Sequence, residues 1–342
     1  MTPRRAFPAI GMAGGVLASL VLAEGILRAW VWAGVPRSNG FIRFMKAAEH
    51  VPSRGPLFRP SADPALGIEC VPNSRRGHIR INSWGFRGAE VAERPADGVV
   101  RVAVVGDSET FGAALPEDKT LPGCLATALE AAVGAKRYEV LNLGVPGYNT
   151  LQELRVVEAR LPRLHPQVVI LYYVLNDAEL TPRTVLLHSG GLRSLYLPLL
   201  ASYVSKARWP ADIRRLRRQM TIVDYYQHLH SSEYFETVKN MLREMAAVLD
   251  RRGVRFILVV APEIYEVRGF KRYPYRDVHA RLRSLAARGL EVVDPLDRLA
   301  ANGKRPREYW VSKGDPHKNE EANRIIAAAV AEAVVRPEAI RP

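Results

Sequence analysis

Cysteine is scarce in this chain. Cys70 and Cys124 are the only two in 342 residues, too few for a disulfide scaffold and without the paired spacing of a zinc site. No cluster of ligating side chains calls for a metal, and the chemistry read below needs no cofactor. Acidic residues are also short, with 35 Asp+Glu against 49 Lys+Arg, a formal charge of +14. That surplus suits nucleic acid, anionic lipid or acidic polysaccharide and does not choose among them. Internal repeats and low-complexity tracts are missing. With 48% hydrophobic and 25% charged residues, the composition excludes a disordered, collagen-like or multi-span membrane chain. The length allows about two domains, or one large α/β domain with additions.

A long uncharged run occurs once, at the amino terminus. Arg4 and Arg5 precede Ala6 to Ala23, which Glu24 ends. At about 1.5 Å per residue this run spans roughly 27 Å, close to a bilayer core of about 30 Å. Basic residues ahead of such a stretch hold that end in the cytoplasm and send the rest across. Residues 1–35 therefore read as a signal anchor, prolonged by Ile26, Leu27, Trp30, Val31 and Trp32, or as a signal peptide cleaved after Val21-Leu22-Ala23. Either way the bulk of the chain is expected to be exported. It is then held to the cell membrane by a single pass with its catalytic part on the periplasmic side, or it is secreted. Residues 36–97 read as an irregular extension rich in Pro, Gly and Arg. Within it, Ile79 to Gly88 looks like a short strand entering a turn, with Gly85 and Gly88 at positive φ.

Beyond residue 97 the pattern alternates. Val99 to Val105, Tyr138 to Leu141, Val168 to Val174, Val254 to Val260 and Leu290 to Val293 are short apolar runs without period-two alternation. Between and after them, Leu121 to Val133, Leu151 to Leu161, Tyr234 to Leu249, Val278 to Ala287 and Glu320 to Val335 have helical spacing. Unalternated strands separated by helices predict a parallel sheet covered on both faces, a three-layer α/β/α sandwich over residues 98–336. In such sheets chemistry sits beyond the carboxyl ends of the strands.

The residues there form one constellation. Gly106-Asp107-Ser108 follows the first strand, so Ser108 sits at a strand-to-helix turn where its hydroxyl is presented and backbone amides face a developing oxyanion. Asn142 to Asn149 follows the second strand and carries Gly144 and Gly147, whose amides can be further donors. Asn176-Asp177 follows the third strand, with the Asn176 side-chain amide as another donor. Just before the last helix lies Asp315-Pro316-His317, in which His317 can act as base toward Ser108 and Asp315 can orient the imidazole.

These blocks resemble those of the GDSL family of SGNH hydrolases, from roughly Val99 to Val335. Gly106-Asp107-Ser108, Asn142 through Gly147, Asn176-Asp177 and Asp315 through His317 are similar to the family's first, second, third and fifth blocks. The resemblance implies the flavodoxin-like SGNH fold, Ser108 as nucleophile, His317 as base and Asp315 as third triad member. It also implies an oxyanion hole from the Ser108 amide, the Gly147 amide and the Asn176 side chain. Two positions depart from the family pattern: Val174 replaces a glycine two residues before Asn176, and one residue rather than two separates Asp315 from His317. The Ile81 to Gly88 segment, with the amino-terminal anchor, also resembles bacterial members linked to cell-surface or exported polysaccharides.

The expected activity is a serine esterase removing acyl groups, acetyl foremost, from a cell-surface or exported glycan. An O-acetyltransferase would use the same triad, and a non-catalytic glycan-binding or assembly subunit would keep only the fold. A basic insertion at 178–231, with Lys206, Arg208, Arg214, Arg215, Arg217 and Arg218 around Trp209, reads either as a solvated helix face or as a lid meeting an acidic glycan or lipid headgroups. Nucleic acid is not an expected partner, since an exported chain seldom meets it and no recognition fold is visible.

Overall fold

The computed structural model describes residues 6–33, 57–133 except 64, 138–179, and 220–336 except 288. The basic stretch expected within 178–231 falls mostly on 180–219, outside the described residues. Helix α1 covers Ala6–Ala33. Among the described residues no helix is long and apolar enough to cross a membrane.

The extension has more order than its composition announces. β1 (Phe58–Pro60) pairs antiparallel with β2 (Ile68–Cys70), and β3 (Arg75–Arg76) with β4 (Ile79–Arg80). Leu66, Ile68, Cys70, Ile79, Ile81 and Phe86 join the main hydrophobic core, so residues from 57 onward pack on the domain. Side chains of the domain pin this segment: Tyr148 Oη donates to the Ile68 carbonyl at 2.6 Å and Gln152 Nε2 to the Leu66 carbonyl at 2.6 Å.

The sheet is formed by β5 (Val100–Gly106), β6 (Tyr138–Gly144), β7 (Val168–Tyr173), β8 (Arg255–Val260) and β9 (Glu291–Val293). All neighbours are parallel, in the order β6-β5-β7-β8-β9. Both faces are covered, which is why no strand alternates. Val102, Val104, Ile170, Tyr172, Ile257 and Val259 pack under α3 (Leu121–Val133) and α9 (Glu320–Val334). Ala103, Val105, Val169, Leu171, Phe256 and Leu258 face the opposite layer, made by α4 (Thr150–Ala159), α5 (Ile222–Leu229), α6 (Glu233–Asp250) and α7 (Arg276–Arg283). The predicted three-layer sandwich is therefore the observed fold. The remaining elements are the four-residue helix α2 (Ser108–Phe111), α8 (Leu296–Ala301), and the hairpin of β10 (Trp310–Ser312) with β11 (Asp315–Lys318).

One local expectation changes. The second strand runs on to Gly144 instead of stopping at Leu141, because its register with β5 continues to the pair Gly106–Gly144. Arg255 is tucked under the end of α9: it pairs with Glu291 and donates to the Ala333 and Val334 carbonyls at 2.6 and 2.9 Å. A cation there satisfies the unpaired carbonyls of a helix end. Both cysteines are free and buried.

Candidate active site

The strand register brings three chain reversals to one level. Gly106 of β5 lies opposite Gly144 of β6 on one side and Tyr172 of β7 on the other. The turns that follow carry Ser108, Gly147 and Asn176.

At the first turn, Asp107 caps α2, its Oδ1 accepting from the Glu109 amide at 2.8 Å. That cap puts Ser108 at the first helical position, where its own N–H is not consumed by the helix. The turn is crowded. A Cβ on Gly144 would lie 2.4 Å from the Phe111 nitrogen and 2.8 Å from the Thr110 carbonyl carbon. These are backbone atoms that cannot swing aside. Gly144→Ala is therefore expected to push α2 off β6 and cost about 1–3 kcal/mol or more, read as a lowered denaturant midpoint.

The amides of the two candidate glycines are placed differently. The Gly144 N–H already donates to Asn142 Oδ1 at 3.0 Å, and the Asn142 side chain donates to the Thr110 carbonyl at 2.9 Å. Gly147 sits in a turn at φ 85°, in the left-handed region, and among the described residues no acceptor takes its N–H. Asn176 lies in a 3₁₀ turn, Leu175–Ala178, fixed by Asp177, whose Oδ2 accepts from the Val174 amide at 2.7 Å. Asn176 Nδ2 donates to Asp107 Oδ2 at 3.3 Å.

His317 arrives from the far end of the chain. Its Nε2 lies 3.0 Å from Ser108 Oγ, and its Nδ1 lies 2.5 Å from Asp315 Oδ1. The single intervening residue has a physical explanation. Asp315 and His317 lie on β11, and residues i and i+2 of a strand point to the same side. The His317 amide also donates to Asp315 Oδ1 at 3.1 Å, fixing the carboxylate.

Electrostatics set the resting protonation. Burial works against charge on His317, but the Asp315 hydrogen bond and the negative charges of Glu109, Asp315 and Asp107 prevail and raise it to about 9. Asp315 is held below its ordinary range by its hydrogen bond to His317, against burial. Burial pushes the Asp107 carboxyl up, opposed by the Glu109 amide. At neutral pH the imidazole is thus charged, donating Nε2–H to Ser108 Oγ, while Ser108 donates to Asp107 Oδ2 at 3.2 Å. Base catalysis needs the neutral form, so kcat/KM toward an uncharged ester is expected to rise with pH and level off only above about 9. The sign reverses for stability. A histidine raised above its ordinary 6.5 stabilises fully below that value and loses the contribution as pH climbs to about 9. The denaturant midpoint should fall across the window in which activity grows.

Sequence reasoning named Ser108, His317, Asp315, Gly147 and Asn176, and these strand-end turns and β11 bring Ser108, His317, Asp315 and Asn176 into one hydrogen-bonded group. It missed Arg87 and the pair Glu109–Lys318. The Arg87 guanidinium, 2% exposed, donates to the carbonyls of Phe111, Gly112 and Leu115 at 2.5, 2.6 and 2.6 Å. It buttresses the end of α2 from the extension, which gives the Phe86-Arg87-Gly88 string a purpose. Lys318 Nζ donates to Glu109 Oε1 at 3.0 Å. Both flank motif residues, and that adjacency was the available signal. Among the described residues no group of His, Cys, Asp and Glu is arranged to hold a metal.

The model of the GDSL-like lipase/acylhydrolase family matches residues 104–325, more than half of the chain. Similar solved structures include TesA, 16% identical with 69% of this chain and 98% of that one covered and a TM-score of 0.43. They also include the acetyl xylan esterase AlAXEase, at 16% identity, 69% and 100% coverage and a TM-score of 0.43. A third is a catalytic mutant of Axe2, an acetylxylan esterase from Geobacillus stearothermophilus, at 14%, 69% and 94%, and 0.44. No curated protein matches the chain.

Proposed function

The chain belongs to the GDSL-like lipase/acylhydrolase family and is a serine hydrolase acting on esters, and on that premise we propose that Ser108, His317 and Asp315 are its catalytic triad. The observation that carries this reading is the continuous chain of contacts from Asp315 Oδ1 through His317 to Ser108 Oγ, at 2.5 and 3.0 Å. Ser108 Oγ attacks the ester carbonyl as His317 Nε2 takes its proton. The tetrahedral oxyanion is received by the Ser108 and Gly147 amides and Asn176 Nδ2. His317 then protonates the leaving alcohol, and water, activated by the same imidazole, releases the acid and frees Ser108.

The substrate we propose is an O-acylated glycan outside the cytoplasm, with the amino-terminal segment as membrane anchor or export signal. The export half of this proposal rests on the arginines and apolar run of the sequence. The glycan half draws on the surface next to β11. There Tyr265, 41% exposed, lies against Trp310 at 6.0 Å between ring centroids, and Arg307 lies over the Trp310 ring at 5.2 Å. Flat aromatic faces beside guanidinium groups accept a sugar's apolar face and its polar substituents together. A second reading, transfer of the acyl group to a sugar hydroxyl, uses the same residues and differs only in the acceptor. Reading the chain as a binding subunit without catalysis is disfavoured by its membership of a hydrolase family.

Intact-mass labelling with a serine-reactive fluorophosphonate tests the triad. One adduct on the wild-type protein and none on Ser108→Ala is the expected result. No adduct on folded wild-type protein overturns it. Acetylated oligosaccharide with and without added acceptor sugar then separates free acetate from transferred acetyl.

A further inference from the structure

Glu109 and Lys318 each follow a proposed triad residue by one position, and the inference here rests on that triad. Glu109 is on α2, next to Ser108; Lys318 is on β11, next to His317. Lys318 is almost completely buried, its side chain 1% exposed, and that of Glu109 is 13% exposed. Two bonds join them: Lys318 Nζ to Glu109 Oε1 at 3.0 Å, and the Lys318 backbone N–H to Glu109 Oε2 at 3.2 Å. The ammonium also lies 5.7 Å from the centroid of the Tyr172 ring, on β7. Strand alternation explains the placement: His317 faces Ser108, so Lys318 points to the opposite side of β11, toward the sheet.

A buried ion pair is a poor way to gain stability, since desolvation offsets the attraction. Apolar side chains of similar volume at both positions would serve the fold as well. What the pair does that apolar side chains cannot is fix two distant pieces of chain, 209 residues apart, by both charge and direction. We propose that Glu109 and Lys318 are positioning residues, a buried clamp that holds the Ser108 helix against the His317 strand and sets the electrostatic field at the imidazole.

The groups facing His317 are Asp315 on its own strand, Ser108, Asp107 and Glu109 from the turn after β5, and, through Lys318, Tyr172 from β7 and Glu263 from the loop after β8. Glu109 is among those that favour the charged imidazole, and Lys318 is held charged by Glu109, Tyr172 and Glu263 against its burial. Removing the Glu109 carboxylate alone therefore takes a negative charge from the imidazole and leaves the Lys318 cation without its hydrogen-bonded counter-charge. Both changes favour neutral His317.

The test uses Glu109→Gln and, because a lone buried ammonium can weaken folding, the double variant Glu109→Gln/Lys318→Met, which removes both charges at similar volume. Two quantities are read on the full chain: hydrolysis of p-nitrophenyl acetate against pH, and the titration of the His317 imidazole by nitrogen-15 NMR, assigned with His317→Asn. The expected result is that the imidazole titrates at lower pH in Glu109→Gln, with the double variant between it and wild type. Both variants should lose kcat by about tenfold or more, with KM nearly unchanged, as expected for a misplaced nucleophile–base pair. Folded variants whose imidazole titrates as in wild type, with kcat intact, overturn the proposal. The two readouts keep the failures apart: titration that moves in a protein without Ser108-dependent hydrolysis refutes the triad and leaves the clamp's field standing.

Discussion

Ser108→Ala and His317→Ala are each expected to lower kcat by about 10⁶-fold, and the double variant is expected to be no worse than either. The reason is that the serine hydroxyl is a weak nucleophile until a base takes its proton, and that base has no other task in the reaction. Removing either side of the 3.0 Å contact removes the same step. What remains is the hydrolysis that oxyanion donors and binding can support with water as nucleophile, about 10³–10⁴ above the uncatalysed rate. Folding should change little in Ser108→Ala. Asp107 Oδ2 loses one donor but keeps Asn176 Nδ2, and Oδ1 keeps the Glu109 amide. A loss of activity accompanied by a large fall in melting temperature would mean that a collapsed turn was being measured. Multiplying losses in the double variant would mean that the two residues act in separate steps.

Much of this fold was legible because its signals are local. A valine-rich run such as Val99 to Val105, interrupted only by Arg101 and Ala103 and followed at once by Gly106, has few readings other than a buried strand ending at a tight turn. The helix from Leu121 to Val133 was bounded to the residue. The extension was less legible for a physical reason. Its order comes from contacts made by other parts of the chain: Tyr148 and Gln152 hold Ile68 and Leu66, and Arg87 satisfies carbonyls of α2. No period records such contacts. In the site, Ser108 and His317 carry chemistry in their residue types, so they stand out in a sequence. Glu109 and Lys318 do not, because a glutamate at a helix start and a lysine before a helix are ordinary solvated residues until the fold brings them together. Gly147 was named over Gly144 on the family resemblance alone; that a neighbouring asparagine already takes the Gly144 amide is visible only in the fold.

Asp315→Ala is expected to lower kcat by about 10⁴-fold, and Asp315→Asn by distinctly less. In general an Asn at this position is severe because it turns its amide nitrogen toward the imidazole and selects the wrong tautomer. Here a second donor argues against that turn. Oδ1 receives both His317 Nδ1–H at 2.5 Å and the His317 backbone N–H at 3.1 Å. An amide oxygen in the same place satisfies both, whereas an amide nitrogen would face a backbone donor. The asparagine should therefore keep the oxygen inward, preserve the tautomer and lose only the charge that stabilises the imidazolium. That charge has its own signature. Asp315 makes the foremost contribution raising His317 to about 9, so in both variants the rising limb of kcat/KM should move to lower pH. The deficit then narrows on acidification, because wild type protonates its base first. An asparagine variant as impaired as the alanine one would show that the amide does turn. A limb that stays near 9 in both would assign the raised histidine to Glu109 and Asp107 instead.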